Sequence, residues 1–208
     1  MTVPVLNLPD SACIASVVMA LTRITGISKS PFTASEQMFK WPGEFWAVDF
    51  KLPTITSRVT ASDWIAFGAK LEGRYGIILL GDPAARLPRG VATGSPLVDG
   101  VDQTGNTLNT KGWTAGVTGV LLKGDYIQLG SGSSARLHMI TEDADSDGSG
   151  EAALSIVPAL RTSPADEAVI VVNNAVGAFR LTSDEFSWSV EPGPRYRFSF
   201  SAIEVVNA

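Results

Sequence analysis

Between residues 45 and 52 apolar and polar side chains alternate, with Trp46, Val48, Phe50 and Leu52 on one face and Ala47, Asp49 and Lys51 on the other. A period of two is the mark of a strand with one buried face. Residues 17–24, rich in β-branched side chains, predict an earlier strand, and Lys40-Trp41-Pro42-Gly43 reads as the turn before the second. Only one stretch has helical spacing: Ala61, Trp64, Ile65, Gly68 and Leu71 fall at steps of three and four, predicting a helix near 57–72. Thr56 is its expected N-cap and Gly73 its left-handed exit, after which 75–80 resumes as a buried strand.

The end of the chain predicts a hairpin. Phe186, Trp188 and Val190 alternate with Ser187, Ser189 and Glu191, Pro192-Gly193-Pro194 turns, and Tyr196, Phe198 and Phe200 alternate with Arg197, Ser199 and Ser201. Arg195, Arg197 and Ser199 share the polar face of that last strand, which makes them candidates for a subunit interface. Beyond Ala202 the apolar residues change phase, which predicts a bulge near 202–203.

In between the texture differs. Residues 84–116, rich in Gly, Thr and Asn, read as loops and short edge strands. Compact strand candidates follow at 117–122, 126–129, 136–141, 153–157, 168–172 and 178–181, at the spacing of a small barrel or sandwich. The expected fold is mainly β: an outer domain from 1–86 and 182–208 with one helix, carrying an inserted barrel at 87–181.

Composition agrees with such a fold. At 208 residues, 45% hydrophobic and 18% charged, the chain can bury a core without disulfides or metal, and its 20 Gly and 12 Pro favour many strands joined by turns. The net charge of −5, with Lys and Arg dispersed, argues against nucleic-acid readout. Cys13 is alone and is expected as a buried thiol in a protein folded in a reducing cytoplasm. Neither a secretory leader nor a membrane span is expected.

No catalytic constellation emerges, and no cofactor or metal is implied. Asp143, Asp145, Asp147 and Gly148 open like an EF-hand loop, but its twelfth position is Leu154 in place of a bidentate Glu, so a polar turn is expected. Gly130-Ser-Gly-Ser-Ser134 superficially resembles a phosphate cradle, yet lacks the Gly-Lys-Ser/Thr of a P-loop and reads as a hairpin loop. His138 is the only histidine, in phase with Arg136 and Ile140. Without a nucleophile elbow it reads as structural. Of the five tryptophans, Trp46, Trp64 and Trp188 sit on apolar stripes, leaving Trp41 and Trp113 as candidate exposed aromatics.

Two runs carry a family resemblance. Ser30-Pro-Phe-Thr33, Trp41-Pro-Gly-Glu-Phe-Trp46, a single helix, then Gly73-Arg-Tyr-Gly-Ile-Ile-Leu-Leu-Gly-Asp-Pro83 resemble the N-terminal half of tail proteins of long-tailed bacteriophages. Lys123-Gly-Asp-Tyr-Ile-Gln-Leu-Gly130, Arg136-Leu-His138, Asp145-Ser-Asp-Gly-Ser-Gly150 and Ile156-Val-Pro-Ala-Leu-Arg161 resemble the inserted barrel of the same group. The chain is thus similar to the small distal tail proteins, whose hub-type β-domain carries an OB-like barrel. That resemblance implies a non-enzymatic virion protein of the tail tip, made in the host cytoplasm. It also implies a homo-hexameric ring between the tail tube protein and the baseplate hub, with a channel through which genomic DNA passes without specific binding. Tail fibre proteins or the host surface are the further partners implied for the barrel. A carbohydrate-binding β-module is the alternative, with an enzyme domain a third reading.

Overall fold

The computed structural model describes residues 2–9 and 15–206; Cys13 lies outside them. In chain order the elements are β1 (Val5–Asn7), β2 (Ser16–Lys29), β3 (Glu36–Lys51), α1 (Arg58–Lys70), β4 (Ile77–Leu80), β5 (Gly94–Val98) and β6 (Gly105–Trp113). There follow β7 (Tyr126–Leu129), β8 (Arg136–Ile140), β9 (Ala152–Leu160), β10 (Ile170–Val171), β11 (Gly177–Leu181), β12 (Trp188–Glu191) and β13 (Arg195–Glu204). The fold is mainly β, as expected, with two sheets, one of them nearly closed into a barrel.

The first sheet runs β1-β4-β11-β13-β3-β2, with β12 also paired to β13. Its buried face is the alternation read from the sequence: Trp46, Val48 and Phe50 on β3 beside Phe198, Phe200 and Ala202 on β13. Helix α1 covers that face with Ala61, Trp64, Phe67 and the following Leu71. Phe50 and Phe200 stack at 5.1 Å, and Trp64 lies within 6.3 Å of both Phe198 and Phe200. Each such buried ring contributes about 1.5–3 kcal/mol, which explains how a helix with few local stabilising features is held. Its N-cap is Ser57 rather than Thr56: Ser57 has the extended backbone a cap requires and accepts from the Thr60 amide at 3.4 Å. Gly73, at φ +67, takes the left-handed exit.

The second sheet runs β10-β7-β8-β9-β6-β5, and a bridge from Leu97 to Val169 brings its two ends together. Leu108, Leu121, Ile127, Ile140, Leu154 and Ile156 fill it. It has six strands, one more than a five-stranded OB barrel. The outside of β7 and β8 packs against the first sheet: Leu137 joins that sheet's core, Trp46 lies 6.1 Å from Tyr126, and Trp46 Nε1 donates to the Leu137 carbonyl at 2.9 Å.

Four local expectations are corrected. The 178–181 strand, β11, belongs to the first sheet, between β4 and β13, because its alternate residues meet that core. Residues 40–43 are no turn but part of β3. A register shift in β2 between Arg23 and Thr25 lies opposite them, and at a bulge a proline without an N–H is tolerated. Residues 105–113 form the nine-residue strand β6, whereas 117–122 contributes only an isolated bridge from Leu121 to Ala144. Finally, β13 pairs through 202–203 without a bulge: its inward parity continues from Ala202 to Glu204, and Ile203 points outward.

Candidate assembly surface

Strands β2 and β3 are far longer than the body requires. Their pairing with each other continues to Lys29 and Glu36, whereas β13 accompanies β3 only from Ala47 to Lys51. The paired segments 24–29 and 36–41 therefore project as an arm of about 20 Å. Between 23 and 42 only Gly26 and Ser30 are partly covered. The turn at the tip is closed by Ser30 N–H to the Ser35 carbonyl at 2.9 Å and Ala34 N–H to the Ser30 carbonyl at 3.0 Å.

The arm carries exposed apolar side chains on both faces, although one face is otherwise polar. Ile27 and Met38 pair on one face, flanked by the Lys29–Glu36 ion pair at 3.1 Å. Phe39 and Trp41 share the other parity, and a Cβ at Gly26 would come within 3.2 Å of Trp41 Nε1, so the indole lies against that glycine. Phe32 caps the tip at 95% exposure. Large apolar side chains clustered on a solvated ribbon are a candidate contact surface.

Of the two tryptophans expected at the surface, the structure exposes Trp41, 58% accessible, and buries Trp113, 4% accessible. Trp113 fills the barrel, its Nε1 donating to Thr110 Oγ1 at 2.7 Å. Gly112, at φ +84, shifts the inward parity of β6 from Thr110 to Trp113, and the sequence's alternation does not show that shift. Trp188, expected in the core, is 43% exposed: β12 lies at the sheet margin and its indole only covers Phe198, with ring centroids 6.5 Å apart.

Arg195, Arg197 and Ser199 lie, with Ser201 and Ile203, on the face of β13 turned away from α1, and all are exposed. Arg197 pairs with Glu191 at 2.9 Å. Arg195 has no ion pair among the described residues. Ser199 and Ser201 edge a groove of about 510 Å³ that continues across Lys51 and Asp49 to Ser16 and Val18. Trp41 and this row lie on different parts of the sheet, the former on the arm and the latter on its body.

The least expected feature is a buried ionic junction between the two sheets. Glu204, 2% exposed, accepts both guanidinium nitrogens of Arg161 at 3.0 and 2.8 Å and the Trp46 amide at 3.1 Å. Arg161 also donates to the Glu44 carbonyl. The buried Glu44 carboxylate pairs with Lys40 at 3.0 Å and Arg23 at 3.1 Å and accepts the Ala159 amide at 3.3 Å. Burial pushes the Glu44 carboxyl up, but the Lys40 hydrogen bond, the Ala159 amide and the Lys40 and Arg23 charges outweigh it and hold it below the usual carboxylate range. This network ties the root of the arm to the barrel. A carboxylate in the apolar phase at 204 was its only trace in the sequence.

The aspartates of the 143–147 run are occupied by backbone. Asp143 and Asp145 accept the distant amides of Lys123 and Gly119, and Asp147 the amide of Ser149 in a local turn, all at 2.7–2.8 Å. Among the described residues no cluster of His, Cys, Asp and Glu forms a metal cage, and no helix is long and apolar enough to cross a membrane. No protein-family model matches the chain, and no curated protein matches it.

Proposed function

We propose that the protein is a non-enzymatic structural subunit of a bacteriophage tail tip that closes into a hexameric ring at the distal end of the tail tube. The observation that carries this reading is the arm, which exposes Phe39 and Trp41 on one face, Ile27 and Met38 on the other and Phe32 at its tip, side chains that a neighbour on each side would cover. A ring, in which every copy both gives an arm and receives one, supplies both. The strand β2 at the sheet edge adds unpaired backbone that a neighbour's strand can extend. In this reading the tube protein and the baseplate hub protein dock on the two ends of the ring. The row at Arg195, Arg197 and Ser199 contributes to a subunit contact, and genomic DNA passes through without specific binding, consistent with the net charge of −5. Tail fibre proteins or the host surface are left to the barrel.

Light scattering and negative-stain imaging of the purified chain, alone and mixed with the tube and hub proteins of the same phage, test the proposal. Closed six-fold rings are expected in at least one condition. A monomer in every condition would sink it.

A further inference from the structure

In a closed barrel the inward parity should be apolar. On β8 that parity is Arg136, His138 and Ile140: Ile140 lies in the barrel core, while Arg136 and His138 pair in register with Leu129 and Ile127, which also belong to it. Two basic residues thus replace apolar ones at one end of the barrel. A break in local patterning of this kind is where function is expected.

These residues line a cleft of about 320 Å³ at the barrel mouth, together with Leu129, Gly130, Arg161 and Thr162. That volume lies at the lower end of small-molecule sites, roughly 300–1,000 Å³, and barrel mouths are a common place for them. The charges in the cleft do not cancel. Arg161 is held bidentately by Glu204, but Arg136 has no carboxylate within ion-pair distance among the described residues, and donates only to the neighbouring Ala135 carbonyl at 3.2 Å. The Glu204 charge reaches Arg136, but its oxygens are committed to Arg161, so the half-buried Arg136 guanidinium keeps most of its forked donor set free.

His138 complements it. The ring is buried, its Nδ1 donates to the Pro158 carbonyl at 2.8 Å, and burial, reinforced by the Arg161 and Arg136 charges, pushes its pKa down against the Pro158 hydrogen bond and the Glu204 charge. The imidazole is therefore neutral near pH 7, with the proton on Nδ1 and Nε2 left as an acceptor. The loop 130–134, singled out in the sequence for its glycines and serines, forms one wall.

We propose that the barrel mouth binds an oxyanion carried on a hydroxylated compound of about monosaccharide size, with Arg136 pairing the anion and His138 accepting from a ligand hydroxyl. This does not depend on the tail-tip reading. The oxyanion is a carboxylate or a phosphate, and the test separates them. Amide NMR spectra of the full chain are recorded during titration with sodium glucuronate, glycerol phosphate and neutral glucose at constant ionic strength. Saturable shifts confined to the amides of 129–138 and 160–168 are expected with one or both anions and not with glucose. Whichever anion saturates identifies the ligand's acid group.

Arg136→Gln should weaken that binding by about tenfold or more, as loss of a charge-assisted forked contact does. Arg136→Lys, which keeps the charge but not the fork, should fall between, and serves should the first variant not fold. Arg58→Gln, at the exposed start of α1, should change nothing. The proposal is overturned by the absence of saturable shifts up to roughly 10 mM anion, by equal shifts with glucose, or by undiminished affinity in the Arg136 variants.

Discussion

Gly68 lies on the buried face of α1, and a Cβ there would fall 2.1 Å from Cδ1 of Phe186. In an exposed helix Gly→Ala stabilises by about 1 kcal/mol. Here the Phe186 ring occupies the methyl's place and is itself packed among Phe67, Phe198 and Phe200. Gly68→Ala should therefore destabilise, by about 1–2 kcal/mol once overpacking is set against propensity, read as a lower urea midpoint at unchanged slope. His138 gives a second prediction. Its pKa is lowered in the folded state, so the unfolded chain binds the proton more tightly. Stability is then complete above roughly pH 6.5 and declines as pH falls through that value, by at most about 1.4 kcal/mol per pH unit. Urea midpoints at pH 7.5 and 5.5 should differ for the wild type and differ less for His138→Gln. At this scale the sequence shows the buried face of β3 and β13 directly, since strict alternation has one geometric meaning. It misplaces Trp113 and Trp188 because a glycine-driven parity shift and a position at a sheet margin are properties of neighbours rather than of the local pattern.

The arm and the junction are properties of elements. Replacing Phe32, Met38 and Phe39 by Ser should leave the melting temperature within a few degrees, because these side chains touch little of the folded body, and should abolish higher-order species in light scattering. A parallel loss of stability would mean that the arm packs on its own subunit instead. Glu204→Leu should cost about 3–5 kcal/mol, the toll of leaving the largely buried Arg161 without its partner, whereas Glu204→Leu with Arg161→Leu together should cost less than the sum. Denaturation of the two single variants and the double variant completes the cycle. The arm was illegible as an element: a ribbon solvated on both faces has no buried parity to display, and Pro42 imitates a turn. Glu204 was illegible for the opposite reason, being a charge in a buried phase, which pattern reading resolves as a bulge before it considers a distant arginine.

At the scale of the molecule the mainly β architecture and the single helix were readable, because turn residues and short apolar runs recur along the whole chain. The owner of the 177–181 strand was not, since pairing with β4 and β13 is a long-range choice. Its place leads to a prediction. Replacing 87–181 by a short Gly/Ser linker should unfold the chain, because it removes β11 from the middle of the first sheet. Replacing 88–173 should leave a folded chain in which Trp46 loses its cover from Leu137 and Tyr126, seen as a red-shifted tryptophan emission with a retained cooperative transition. Cooperative unfolding of the first variant would refute this division.

The same strand sets an order in time. On the ribosome β4 emerges about a hundred residues before β11, a wait of roughly 5–20 s at ordinary elongation rates. During that interval β4 has β1 on one side and nothing on the other, and β3 waits longer still for β13. The barrel strands β5–β10 all emerge within the wait and pair only among themselves. Synthesis should thus yield a finished barrel attached to an unfinished sheet, with the arm exposed beside it. Nascent chains arrested some 40 residues beyond Val171, counting an added tether to clear the exit tunnel, should show 94–171 resistant to protease while 16–80 is cut.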